Sequence, residues 1–385
     1  MSACARHENA NNSSVEVDEE PQNKFEPEES APVIDPVWIR AGEIALSLDD
    51  RLLAAQILIS GIDGRGSLPP HMKTLLIESP VGGVMLFKYN LDTDNDSIRA
   101  LISETVSLIK NESGIPPFIA VDHEGGTVSR FRQDVAVLPA ASFYWELFLA
   151  KGRQEALAKI EEDSLKTAGE IFDLGINLNF APVAEYLNED NRNFLESRAY
   201  GHDPSFAAEA AAAFIRGMEQ AGVLCVVKHF PGSAGPDPHY SPSILNGDRA
   251  ALNSLVYPFA ALIKNGARAV IVAHTAVPEI DSEIASLSAA VMRNWLREEL
   301  GFGGIIISDD FTMAAAGGMK SEEAAIRSIA AGADMVLVWP PDLRRTQSAF
   351  ISALEDGRLS RERLREAAQR IIYEKIRMSL IGSDE

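Results

Sequence analysis

Asp309 stands directly after the apolar run Ile305-Ile306-Ile307-Ser308. A carboxylate fixed at the end of such a run can serve as a nucleophile, a base or a metal ligand. Asp122 follows Phe118-Ile119-Ala120-Val121 in the same way and leads into His123-Glu124-Gly125-Gly126. Two glycines there predict a backbone that comes close to a ligand. Lys228 and His229 are adjacent where another apolar run stops, and neither type favours a deep core. Arg130 and Arg198 fall in loops and offer forked donors for hydroxyl or carboxylate groups. Asp237 and His239 lie two apart in the polar loop Gly232-Ser233-Ala234-Gly235-Pro236-Asp237-Pro238-His239. An extended backbone puts them on one side, and a carboxylate beside a histidine sets its tautomer and suits it to acid–base work near neutral pH.

A metal site is the rival chemistry, with Asp122, His123, His229, Asp237, His239, His274 and Asp309 as candidate ligands. A metal-dependent barrel hydrolase would show a His-x-His pair after its first strand. The chain reads Ser60-Gly61-Ile62-Asp63 there, and it holds no His-Glu-x-x-His. The expectation is no metal and no cofactor.

These groups need a frame that brings chain-distant residues together. Eight short apolar runs supply one: Gln56–Ser60, Gly83–Phe87, Phe118–Val121, Asn177–Phe180, Val223–Lys228, Ala269–Ala273, Ile305–Ser308 and Met335–Trp339. Most are apolar enough to be buried on both faces, as parallel strands are. Amphipathic segments alternate with them. One runs from Asp203, a natural cap, through Pro204 to Gln220, with Gly222 past its end. Others run from Leu252 to Lys264, Ser321 to Ala331 and Arg361 to Leu380. The pattern predicts an α/β protein, a (β/α)8 TIM-type barrel over residues 38–385. A doubly wound sheet fits less well, because no Gly-x-Gly-x-x-Gly turn follows the first strand. In a barrel, chemistry gathers in the loops after the strands. Five of the runs end in ionisable or polar groups: at Asp122, Asn179, Lys228, His274 and Asp309.

The chain has 385 residues and a formal net charge of −21. That balance argues against a nucleic-acid partner, which needs a basic surface. Two cysteines, Cys4 and Cys225, exclude a disulfide framework. No apolar run is long enough to span a bilayer. The charge is uneven, with −7 of it in the first 35 residues, a stretch rich in Asn, Ser, Glu and Pro. Residues 1–37 are therefore expected to form a disordered acidic tail or tether. Met-Ser-Ala-Cys at the start resembles the end of a lipobox, which makes Cys4 a candidate lipid anchor if translation starts upstream. The alternatives are a plain tail on a cytoplasmic protein and a cell-envelope lipoprotein.

Taken in order, the motifs resemble glycoside hydrolase family 3, and within it the single-domain NagZ-type β-N-acetylglucosaminidases. Gly82-Gly83-Val84-Met85-Leu86-Phe87 resembles the family's second strand, and Asn179-Phe180-Ala181-Pro182-Val183 its fourth strand end. Asp122-His123-Glu124-Gly125-Gly126 with Arg130-Phe131-Arg132 resembles its Asp-x-Glu-Gly-Gly…Arg-Phe signature and implies that Asp122 binds sugar hydroxyls. Arg198-Ala199-Tyr200-Gly201 implies substrate contact by Arg198, and Lys228-His229-Phe230-Pro231-Gly232 implies the same for Lys228 and His229. Ser308-Asp309-Asp310-Phe311-Thr312-Met313 implies Asp309 as nucleophile. The loop pair Asp237 and His239 maps onto the acid/base of this branch. The resemblance implies a retaining exo-glycosidase that removes terminal β-linked N-acetylglucosamine from a small saccharide, in cell-wall recycling or turnover.

Three departures stand out. The family often has Gly-His-Gly where this chain has Gly232-Ser233-Ala234-Gly235, the loop that follows is shorter, and Glu185 stands where Asp is common. About 45 residues follow Trp339 and read as helices, which resembles the single-domain type. A β-glucosidase, a phosphorylase of the same family and a non-catalytic sugar-binding barrel are the competing readings.

Overall fold

The computed structural model describes residues 35–131, 135–313 and 317–382. Cys4 and the expected acidic tail up to residue 34 lie outside the described residues, as does Arg132. No described helix is long and apolar enough to cross a membrane. The first described helix is Pro36–Ser47.

Each of the eight apolar runs contains a strand. The strands are β1 (Leu58–Gly61), β2 (Gly83–Leu86), β3 (Phe118–Val121), β4 (Leu178–Asn179), β5 (Leu224–Cys225), β6 (Val227–Phe230), β7 (Ser243–Ile244), β8 (Ala269–Val272), β9 (Thr275–Ala276), β10 (Ile305–Ser308) and β11 (Val336–Val338). All pairings between them are parallel. One sheet has the order β11-β1-β2-β3-β4-β5, a second β10-β8-β6, and a third β7-β9. β1, β2, β3, β8 and β10 are buried along their whole length, because helices cover the faces that their apolar side chains present. Isolated parallel bridges also link Ile307 to Met335 and Val183 to Lys228.

The helix expected after Asp203 spans Pro204–Gln220, and the Asp203 carboxylate accepts from the backbone N–H groups of Ser205 and Phe206. It packs along the helix Arg153–Asp173. Ser321–Ala331 is helical as expected, and the last helix is Arg361–Arg377.

Three expectations need correction. The segment Leu252–Lys264 is two helices, Arg249–Leu255 and Tyr257–Lys264, because Pro258 has no N–H to continue one ladder and instead starts a second helix. The fifth run is split between β5 and β6. β5 pairs with β4 and β6 with β8, while the Lys228 backbone bonds both Pro182 and Ala184. The strand thus changes partners just before the site. The glycines after Glu124 do not open space for a ligand. A Cβ at Gly125 would lie 2.3 Å from the Pro139 carbonyl oxygen, and one at Gly126 would lie 2.5 Å from the Ala140 Cβ. The chain's own segment 138–140 fills that space.

Candidate active site

Lys228 is the hub of a buried polar cluster at the C-terminal ends of the strands. Its Nζ donates to Asp122 Oδ1 at 2.6 Å and pairs with Glu124 Oε1 at 2.5 Å. Arg198 grips Glu124 with Nε and Nη2, both at 2.8 Å, as a planar fork should. Arg130 Nη2 donates to Asp122 Oδ2 at 2.9 Å. Burial by itself pushes the Asp122 and Glu124 carboxyls up. On Asp122 the charges of Lys228, Arg130 and Arg198 together outweigh this, on Glu124 those of Lys228 and Arg198 do, and both carboxyls end below the usual carboxylate range. Arg198 also rests on the Phe194 ring, 4.9 Å from its centroid. Such pairing is what lets so many charges stay out of water.

His229 is held from behind. Its Nδ1 donates to Glu185 Oε1 at 2.7 Å, since a carboxylate only accepts. That leaves Nε2 facing Arg198 Nη2 at 3.5 Å. The second Glu185 oxygen takes the Ser233 backbone N–H at 2.6 Å.

Asp309 follows β10, and its Oδ1 accepts from the Asp310 backbone N–H at 2.9 Å. Asp310 lines the same cavity and its Oδ2 takes the Trp339 indole N–H at 2.7 Å. Beneath them His274 donates from Nε2 to the Asp310 carbonyl at 2.9 Å and accepts at Nδ1 from the Ser286 hydroxyl at 2.7 Å. Burial lowers its pKa, so it is a neutral prop for the turn that carries Asp309.

The loop pair is the most exposed part. His239 Nδ1 donates to Asp237 Oδ1 at 2.6 Å, and the two side chains are 57% and 42% exposed. Partial burial pushes the Asp237 carboxyl up, but hydrogen bonds from His239 outweigh it and the net shift is downward. With Nδ1 carrying its proton to Asp237, Nε2 is the nitrogen free to give or take one.

One cavity of about 370 Å³ is lined by Asp122, Arg130, Arg198, Lys228, His229, His239 and Asp309. Asp237 reaches it only through His239. His123 and His274 do not line it. His123 is buried, donates from Nε2 to the Ala136 carbonyl at 2.8 Å, and has its pKa pushed down to about 4 by that burial. Among the described residues no group of three or more His, Cys, Asp or Glu side chains is placed to hold a metal ion.

Sequence reasoning gave no role to Glu124, Glu185 or the aromatic walls Phe87, Phe180, Phe194 and Trp339, which also line or brace this cavity. Glu124 sits inside a quoted motif and Trp339 closes the last apolar run, so position could have flagged both. Nothing local in sequence marks Glu185 as the partner of His229.

The model of the glycosyl hydrolase family 3 N terminal domain matches residues 59–373. The chain belongs to glycosyl hydrolase family 3. Its fold is accordingly the TIM-barrel-like α/β fold of that family. A curated relative, the "Beta-hexosaminidase" of Stenotrophomonas maltophilia, is 36% identical over 296 residues, which cover 74% of this chain and 84% of the relative. Among solved structures, a family 3 β-N-acetylglucosaminidase from a Paenibacillus species superposes with a TM-score of 0.80 at 29% identity. That match covers 87% of this chain and 63% of the longer one. NagZ from Neisseria gonorrhoeae in complex with N-trifluoroacetyl-D-glucosamine superposes with a TM-score of 0.69 at 29% identity, covering 82% of this chain and 89% of its own. As a member of the family, the chain is a glycoside hydrolase.

Proposed function

We propose that this chain is a retaining exo-β-N-acetylhexosaminidase that releases terminal β-linked N-acetylglucosamine from a cell-wall or related saccharide. One observation carries the reading. A strand-end carboxylate, Asp309, and a loop histidine, His239, line the same cavity as the cluster of Asp122, Arg130, Arg198, Lys228 and His229. The names of the similar hexosaminidases and the sugar amide bound to the gonococcal NagZ support the choice of substrate class.

In this reading the buried cluster takes the sugar's hydroxyls, with Arg, Lys and carboxylate groups as donors and acceptors. The Asp309 carboxylate attacks the anomeric carbon while the bond to the leaving oxygen breaks, and His239 gives that oxygen its proton from Nε2. The product is a glycosyl ester on Asp309. Water then attacks the same carbon, loses a proton to His239, and frees the Asp309 carboxylate. Asp237 accepts the Nδ1 proton of His239, which orients the ring and leaves Nε2 for the transfer. The two sheets, joined by the bridges Ile307–Met335 and Val183–Lys228, support closure into an eight-stranded barrel over residues 38–385. Such a barrel would set β10 and β3 across one mouth.

A screen of 4-nitrophenyl glycosides tests this. The β-N-acetylglucosaminide should release chromophore faster than the β-glucoside. Asp309→Ala and His239→Ala should each lower turnover by about three orders of magnitude or more while leaving the folded state intact. A wild-type protein that cleaves no β-N-acetylhexosaminide refutes the reading.

A further inference from the structure

The loop that carries the proposed acid has little of its own to hold it. Among the described residues, the hydrogen bonds of the Asp237 and His239 side chains stay within the loop. The Tyr240 and Ser241 N–H groups also turn back to the Asp237 carbonyl, and Tyr240 is 82% exposed. The place of His239 at the cavity is therefore set where the loop leaves and rejoins the fold.

Glu185 holds Ser233 on the way into the loop, but one serine makes the closure. Ser243 begins β7 and is buried. Its hydroxyl donates to the Ala234 carbonyl at 3.0 Å and accepts the Ala234 N–H at 3.1 Å. Both backbone groups of one stem residue thus close on a single oxygen, and residues 235–242 lie between the two stems. The remaining lone pair takes the Thr275 hydroxyl at 3.1 Å. A serine hydroxyl has one proton to give and two lone pairs, so Ser243 is fully used. Thr275 begins β9, pairs in register with Ser243 and is buried as well.

Thr275 directly follows His274, whose Nε2 holds the Asp310 carbonyl beside Asp309. Two adjacent residues just past β8 thus anchor two parts of the site. His274 props the turn of the nucleophile, and Thr275, through Ser243, seats the base of the loop with the acid. Displacing a reacting group by about 1 Å costs on the order of a hundredfold in rate, so a fixed base matters to an exposed acid.

We propose that Ser243, seated on Thr275, is a positioning residue for His239 and sets the loop's acid against Asp309. The assignment rests on the glycosidase reading given above. It concerns this chain in particular, because Ala234 lies in the segment Gly232-Ser233-Ala234-Gly235 that replaces the family's usual Gly-His-Gly.

The test measures kcat/KM, which reports the step that forms the glycosyl ester, on methyl β-N-acetylglucosaminide and on its 4-nitrophenyl counterpart. Methoxide needs the proton of His239 to leave, whereas 4-nitrophenolate leaves largely without it. Ser243→Ala should lower kcat/KM about 10- to 50-fold on the methyl glycoside and at most about threefold on the other. Thr275→Val keeps the shape, removes the hydroxyl and should show the same selectivity at about three- to tenfold. Thr275→Ser restores the hydroxyl and should stay within about twofold of wild type on both substrates. If a thermal melt shows Ser243→Ala unfolded, Thr275→Val decides. An equal loss on both substrates, or no loss, overturns the positioning role while the glycosidase reading stands. A wild-type protein that cleaves neither substrate overturns the glycosidase reading and this role with it.

Discussion

Glu185 ties His229 to Ser233: one carboxylate oxygen accepts His229 Nδ1–H at 2.7 Å and the other accepts the Ser233 backbone N–H at 2.6 Å. A strand-end imidazole and the first turn of the loop that carries Asp237 and His239 are thus set by one buried side chain. Glu reaches one methylene further than the Asp common at this place. Glu185→Gln keeps the length but replaces one acceptor oxygen with a donor amide that faces two donors. It should lower kcat/KM about 10- to 100-fold, with most of the loss in KM because His229 lines the cavity proposed to hold the sugar. Steady-state kinetics with a parallel thermal melt would show it, and an unchanged KM would sink this positioning role.

Asp237→Asn tests the loop pair by itself. The amide can donate to Nδ1, which places the imidazole proton on Nε2 and leaves no negative charge to support the imidazolium. The expected outcome is a fall in kcat of about 10²-fold or more on a substrate with a poor leaving group, and a smaller fall on a 4-nitrophenyl glycoside. An equal fall on both substrates would separate Asp237 from the proton transfer.

The buried ionisable groups make stability pH-dependent in a stated direction. His123 and His274 have lowered pKa values in the folded chain, His123 at about 4, so the unfolded chain takes up their protons first. Their contribution is full above the ordinary histidine pKa of about 6.5 and is lost as pH falls below it. For His123 the loss comes to roughly 3 kcal/mol between there and its folded value. Asp122 and Glu124 are also lowered, so their contribution is present above about pH 4 to 4.5 and disappears below that range. Melting temperature should therefore begin to drop near pH 6.5 and steepen below pH 4.5. His123→Phe, if folded, should flatten the first part of that decline and Asp122→Asn the second.

Gly125→Ala should destabilise the protein by about 2 kcal/mol or more. The residue has φ of +89°, and the added methyl carbon would meet the Pro139 carbonyl oxygen at 2.3 Å. Denaturant unfolding would measure it. Because Asp122 and Glu124 precede this turn, the variant should also lose sugar affinity, and a neutral result on both counts would refute the packing role assigned to Gly125.

Much of the architecture is legible in the amino-acid sequence. Apolar runs of four to six residues are short-range features, and they predict buried parallel strands because both faces of such strands lack water. The cap at Asp203, the proline after it and the glycine past the helix end are local as well. The chemistry-bearing residues at run ends, Asp122, Lys228 and Asp309, can be picked out because an ionisable group is costly directly after a fully buried strand unless something uses or pairs it. The break between β5 and β6 and the two-helix form of 249–264 are harder to read, since both depend on which backbone groups find partners elsewhere.

What the sequence by itself determined is the set of strand ends, the ordered motif series and the residue types available for chemistry. Only the tertiary structure decided the pairings: Arg198 on Glu124, Lys228 between two carboxylates, Glu185 behind His229, and Trp339 on Asp310. The physical reason is separation along the chain. Arg198 and Glu124 are 74 residues apart and Lys228 and Asp122 are 106 apart, so only the parallel alignment of strand ends brings them within hydrogen-bond reach.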